Sequence, residues 1–129
     1  MSSNAVLLVA RILLSVMFIM AGASKFAGIA GTAAYLSSVG LPAPTLLAWL
    51  TAVFEVVAGL AVLLGFMTRY ASWALAAFCV VAAILFHANF ADQMQMTMFM
   101  KNFAIAGGFL ALAIAGPGAI SVDARRGTA

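Results

Sequence analysis

Glu55 stands alone in the middle of a long apolar run. The run, Thr45 to Leu64, follows Pro42 and Pro44 and ends at Gly65. As a helix it is about 30 Å long, close to the thickness of a bilayer's hydrocarbon core. A carboxylate at that depth costs at least a few kcal/mol unless it faces protein, meets a partner or takes up a proton. The chemistry open to Glu55 is therefore proton exchange, hydrogen-bond acceptance or a structural ion pair.

A second charge lies inside the apolar run from Ala5 to Ser24. On a helix, Arg11, Ser15, Phe18, Gly22 and Lys25 share one narrow stripe, which should face the other helices. Counted from the outer helix ends, Glu55 lies about 15 Å deep and Arg11 about 20 Å deep, an offset of about 5 Å that an arginine spans. The expectation is an Arg11–Glu55 pair that neutralises both charges and fixes helix register. Such a pair is either purely structural or the polar floor of a ligand cavity, with Glu55 carrying protons; snorkelling of Arg11 to the headgroups is a further alternative.

Lys25, His87, Asn89, Lys101 and Asn102 fall at the outer ends of apolar runs, above Phe26, Phe54, Phe86, Phe90 and Phe103. Donors over an aromatic interior suit a quinone ring, whose two carbonyls need donors and whose tail needs hydrocarbon. The same residues would also serve as interfacial anchors. Met94, Met96, Met98 and Met100 alternate nearby, and thioethers suit Cu(I). An extended segment would align the four; a helix would split them between two faces. Cys79 reads as a buried thiol acting as a small hydrophobe.

The elements that must position these groups follow from composition. The chain is 67% hydrophobic and 7% charged, with a mean hydropathy of +1.20. No soluble domain of this size has interior enough to hide that surface, so the bilayer is the solvent. One cysteine excludes an internal disulfide and a single-chain iron–sulfur cluster, and one histidine excludes a bis-histidine haem within one chain. The sparse net charge of +3 gives no nucleic-acid surface. A cleaved signal peptide is not expected, because no basic region precedes the first run and Arg11 interrupts it.

The expected fold is all-α: one domain over residues 1–129, a bundle of four transmembrane helices at about 5–24, 45–64, 70–87 and 98–115. Tyr70 and Trp73 would anchor the third span at an interface. Gly107, Gly108, Ala111 and Ala115 would give the fourth a small-residue packing face. A short outer-surface helix is expected over about 32–39, capped by Thr32 and Gly40 with Tyr35 at the membrane surface. Gly116-Pro-Gly118 opens a tail, 116–129. Four spans put both termini on one side. Arg69, Arg125 and Arg126 lie there, against Lys25 and Lys101 opposite, which favours cytoplasmic termini.

Several stretches taken together resemble the DoxX family of small bacterial inner-membrane proteins, in particular its YphA/YqjF type. They are Arg11-Ile-Leu, Gly22-Ala-Ser-Lys25, Gly40-Leu-Pro42, Glu55 through Arg69, Phe86-His-Ala-Asn-Phe-Ala91, Met98-Phe-Met-Lys-Asn102, Gly107-Gly108 and Gly116 through Asp123. The resemblance implies a four-helix bundle in the inner membrane. It also implies recurring polar positions at Arg11, Lys25, Glu55, Arg69, His87, Lys101, Asn102, Ser121 and Asp123. Met94 and Met96 fall outside the pattern. The family name derives from subunits associated with a quinone-reducing or quinol-oxidising complex, and most members have no assigned reaction.

The first functional expectation is a quinone-linked redox or quinone-detoxification component. Arg11, Lys25, His87, Lys101 and Asn102 would bind the quinone, and Glu55 would exchange protons. With no built-in electron carrier, it would need a soluble redox or stress-response partner at the cytoplasmic face. Whether the chain turns over a substrate is left open. The alternatives are a membrane scaffold for soluble enzymes docking on residues 116–126, and a small-solute or copper-handling protein that would need a homo-oligomer to form a pathway.

Overall fold

Ser2 opens the first helix by accepting a hydrogen bond from the Ala5 N–H. The computed structural model describes residues 2–128, which are helical without a strand among them. The helices are α1 (Ser3–Ala27), α2 (Ile29–Ser38), α3 (Pro44–Leu64), α4 (Thr68–Phe86), α5 (Gln93–Ala115) and the single turn α6 (Val122–Arg125). Four of them, α1, α3, α4 and α5, are long and apolar enough to cross a membrane. Pro44 begins α3 with a φ already suited to a helix. Asp92 caps α5 by accepting from the Met94 N–H at 2.9 Å, so this helix starts well before the expected residue 98. Asn4 Oδ1 accepts from the Ala119 N–H at 2.9 Å, which joins the start of α1 to the segment after α5 and sets both chain ends at one end of the bundle.

The spans associate as two pairs, α1 with α3 and α4 with α5. Glycines bring α1 and α3 together. A Cβ at Gly22 would lie 2.6 Å from Val56 Cγ2 and 2.9 Å from the Ala52 oxygen; one at Gly59 would lie 2.9 Å from Ile19 Cγ1. This crossing sets Gly22 level with Ala52 and Val56, so Lys25 stands about one turn above that level. Phe18 of α1 joins the two pairs, meeting Phe109 of α5 and Phe78 of α4 edge to face at 5.6 and 6.3 Å.

One packing expectation is corrected. Helix α5 buries Ala106, Phe109, Leu112 and Ala113, whereas Gly107, Ala111 and Ala115 are exposed and only Gly108 approaches a neighbour, Leu14. Large apolar groups dominate that contact, because Phe109 fills the centre of the bundle. Helix α2 packs on α3 and buries Leu36. It begins at Ile29 rather than Thr32, whose hydroxyl bonds back to the Gly28 carbonyl.

The α3–α4 turn is the tightest point of the chain. Gly65 has φ +71°, and a Cβ there would collide with Ser121 Cβ and lie 3.1 Å from Arg11 Cζ. Gly65→Ala is therefore expected to destabilise the protein by about 2–4 kcal/mol, from left-handed backbone strain plus overpacking. Gly31→Ala, where an added Cβ meets nothing within 4 Å, is the matched control. Thermal unfolding in detergent reads the difference.

Candidate functional site

Polar groups gather in two places: at the terminal end, and beneath α2 in the opposite half. At the terminal end they close helix ends. The Arg11 guanidinium, 1% exposed, donates from Nε to Val62 O at 3.0 Å and from Nη2 to Leu63 O at 2.7 Å. Its Nη1 donates to Pro117 O at 2.9 Å and Ile120 O at 2.7 Å. These are carbonyls of the last turn of α3 and of the loop after α5, which have no helical partner. Arg69 does the same for α5, donating to Ala113 O and Ile114 O at 2.9 and 2.6 Å.

Asp123 closes the start of α4, which has no capping side chain of its own. Its Oδ1 accepts from the Met67 N–H at 2.8 Å, and its Oδ2 from the Thr68 N–H and hydroxyl at 2.9 and 2.8 Å. The bond to Met67 holds that residue at φ +47°, a conformation rare outside glycine. Burial pushes the Asp123 carboxyl up, but the bonds from Thr68, Met67 and Thr128 outweigh it and leave the group below the usual carboxylate range. A lowered folded value means stability that is present above the unfolded value of about 3.9 and is lost as pH falls from there through the folded value. Wild type is thus expected to lose more thermal stability between pH 6 and pH 3 than Asp123→Asn does.

The tail expected as a docking surface is thereby largely part of the bundle: Gly116, Pro117, Ser121 and Asp123 are buried. Arg125 and Arg126 stay exposed, with Arg126 over the Phe66 ring at 5.1 Å.

The expected Arg11–Glu55 pair does not form. Glu55 pairs with Lys25, whose Nζ donates to Oε1 at 2.9 Å and Oε2 at 3.0 Å. The Glu55 side chain is 4% exposed and that of Lys25 29%. The reason is register. With Gly22 level with Ala52 and Val56, Lys25 lies just above Glu55, while Arg11 lies about three turns below Gly22, beside the end of α3.

Above the pair is a cavity of about 220 Å³ to which four helices contribute: α1 gives Lys25, α2 gives Thr32, Tyr35 and Leu36, α3 gives Thr51 and Glu55, and α4 gives Phe78, Ala82, Phe86 and His87. Tyr35 and Phe86 stack across it with centroids 5.5 Å apart. Of the residues expected to bind a ligand, Lys25, Glu55 and His87 come together here. Lys101 and Asn102 do not line the cavity: Lys101 is exposed, and Asn102 donates to Met98 O on its own helix at 2.9 Å. Nor does Arg11. Tyr35, Thr32 and Thr51 take part without having been expected. Their signal in the sequence is weak, because nothing in a ten-residue connecting helix shows that it folds down onto α3.

Helix α5 also decides the methionine arrangement. Met94, Met96, Met98 and Met100 are all exposed on helical backbone, which turns successive members of the run to different faces. Among the described residues no group of three or more His, Cys, Asp or Glu side chains could hold a metal ion.

Four long apolar helices, with a buried carboxylate paired to a half-buried lysine and a cavity beneath α2, define a multi-pass membrane protein with a polar site inside the bundle. The DoxX family model matches residues 6–88, from the first span through His87, and the chain belongs to the DoxX family. It is 49% identical to Inner membrane protein YqjF of Escherichia coli over 116 residues, 90% of this chain and 88% of that one. It is 41% identical to Inner membrane protein YphA of the same organism over 125 residues, 92% and 89% of the two chains. No solved structure matches. With these relatives and four apolar helices, it is an integral, multi-pass protein of the inner membrane.

Proposed function

We propose that this protein is a quinone-binding component of the inner membrane, with the ring seated in the cavity beneath α2. The observation that carries this is the convergence of three donors (Lys25, Tyr35, His87) and one carboxylate, Glu55, between the Phe78 and Phe86 rings. A quinone ring needs donors for two carbonyls and flat apolar walls, and the cavity offers both. Quinone bound there supplies two-electron, two-proton redox chemistry. Lys25, with the ammonium proton left over from its two bonds to Glu55, and His87 would hydrogen-bond the two carbonyls and orient the ring. Of the two protons that reduction of the ring would take up, Glu55 would relay one and His87 the other, each drawn from water at the partly exposed Lys25 and His87, and Lys25 balances the Glu55 charge in the ionised state. With a single cysteine and a single histidine in the chain, the two electrons come from a reduced partner protein or a diffusible reductant.

The test is calorimetric titration of a short-tailed quinone into the protein in nanodiscs. His87→Ala is expected to weaken binding about tenfold, the worth of one good hydrogen bond in a buried site. Unchanged binding in His87→Ala would remove the imidazole from the site.

In this reading the termini face the cytoplasm, supported by Arg69, Arg125 and Arg126 at the terminal end. Reporter fusions to the C-terminus test it.

A further inference from the structure

The α3–α4 seam is open along most of its length. The two helices follow each other through the turn at Gly65, yet each packs chiefly on a different partner, α3 on α1 and α4 on α5. A groove of about 860 Å³ is left between them, with Ala58, Ala61, Ala71 and Ala74 among its lining residues and Val57 and Tyr70 beside them. It continues toward the far end of the bundle as a second hollow of about 360 Å³, which shares Leu50, Phe54 and Ala74 with it. That hollow in turn shares Thr51 and Phe78 with the polar cavity under α2. Polar cavity, hollow and groove thus adjoin along α3 and α4, with the Phe54 and Phe78 rings, 5.2 Å apart, as shared walls. From Thr51 to Leu64 the path is about 20 Å long.

We infer that the α3–α4 groove is the seat of an isoprenoid tail, and that the quinone of this site is a long-tailed, membrane-resident one rather than a small diffusible ring. The inference rests on the quinone reading of the cavity. The shared walls identify the occupant: the tail of a ring placed between Lys25, Glu55 and His87 reaches the hollow past Phe78 and Thr51, and the groove past Phe54, once the Phe54 and Phe78 rings part. An acyl chain of a phospholipid could fill the groove, but it would carry no ring into the cavity. The groove runs toward the terminal end and is open to the bilayer along its exposed lining, so a chain of several isoprene units has an apolar track along the bundle.

Two photoreactive quinones test this in nanodiscs, one with a diazirine on the ring and one with it at the far end of a polyprenyl tail. Labelled positions are mapped by mass spectrometry, with and without excess unlabelled polyprenyl quinone. The expected result is ring labelling around Tyr35 and His87 and tail labelling on Ala61, Ala71 and Tyr70, both suppressed by competitor. Ala74→Phe, a change at an exposed position on the groove, is expected to reduce tail labelling about tenfold because the added ring fills the space the tail would occupy, while leaving binding of a tail-less quinone unchanged. Competed ring labelling with tail labelling scattered over outward residues such as Leu13 and Ile114 overturns the inference and leaves the cavity reading standing. Tail labelling that phospholipid suppresses as well as quinone does makes the groove an acyl-chain site and also overturns it. If neither probe is displaced by competitor, both the inference and the cavity reading fall.

Discussion

Arg11→Leu is expected to be among the most damaging single substitutions in this protein, with a loss of about 3–5 kcal/mol. The expectation rests on where the guanidinium's bonds go. Four carbonyls, Val62, Leu63, Pro117 and Ile120, accept from one side chain. The Val62 oxygen also accepts from the Gly65 N–H at 3.2 Å, but at this buried site the other three are left without a donor in Arg11→Leu and keep their desolvation penalty. Arginine suits the position because its planar fork presents donors in several fixed directions at once, whereas an ammonium is a compact point charge. Arg11→Lys is therefore expected to recover only part of the loss. Arg69→Ala, which removes bonds to two carbonyls from an exposed side chain, is expected to cost less. Reversible unfolding in mixed micelles ranks the three. An Arg11→Leu variant within about 1 kcal/mol of wild type would mean that those carbonyls find other donors.

The second large effect concerns the buried pair, and it is asymmetric. Lys25→Met leaves the Glu55 carboxylate buried with no counter-charge, and a loss of about 3–5 kcal/mol is expected unless the carboxyl takes up a proton. Glu55→Gln leaves Lys25 free to turn to water, since its side chain is already 29% exposed, and is expected to cost less than half as much. The double variant Lys25→Met with Glu55→Leu is expected to regain most of the stability, because apolar replacement of a whole buried pair is often neutral. If the pair is there for chemistry, the refolded double variant still binds no quinone. Unfolding free energies from the cycle of wild type, Lys25→Met, Glu55→Leu and the double variant, with binding measured on each member, separate the two roles. A double variant that is stable and binds quinone normally would reduce the pair to packing.

The apolar runs made the spans legible in the sequence, and so did the inward face of α1. Arg11, Ser15, Phe18 and Gly22, taken from helical spacing alone, are the four residues that α1 buries. The partner of Glu55 was not legible. Depth counted from helix ends assumes that the ends are level, and here they are not: α1 stops at Ala27, and α2 covers the part of α3 that rises above it. Two glycines set that register, but a glycine in an apolar run does not announce which neighbour it admits. The same error placed Lys25 at the membrane surface rather than above a buried carboxylate. Lys101 and Asn102 were grouped with His87 because all lie near helix ends. Asp92 then starts α5 at Gln93 instead of the expected 98, so both residues lie more than two turns into the helix, and neither lines the cavity. Asp123 and Arg69 were visible only as charges outside the spans. Their capping bonds join residues far apart in sequence, which no local pattern encodes.

The central claim is that the cavity between Lys25, Glu55 and His87 holds a quinone. Native mass spectrometry, with quinone extraction from the gently purified protein, tests it most directly, using wild type and His87→Ala side by side. The account predicts near-stoichiometric polyprenyl quinone on wild type and its loss from a His87→Ala variant that unfolds at the same temperature. Wild-type protein that retains phospholipid but no quinone, even when purified from quinone-replete membranes, would contradict it.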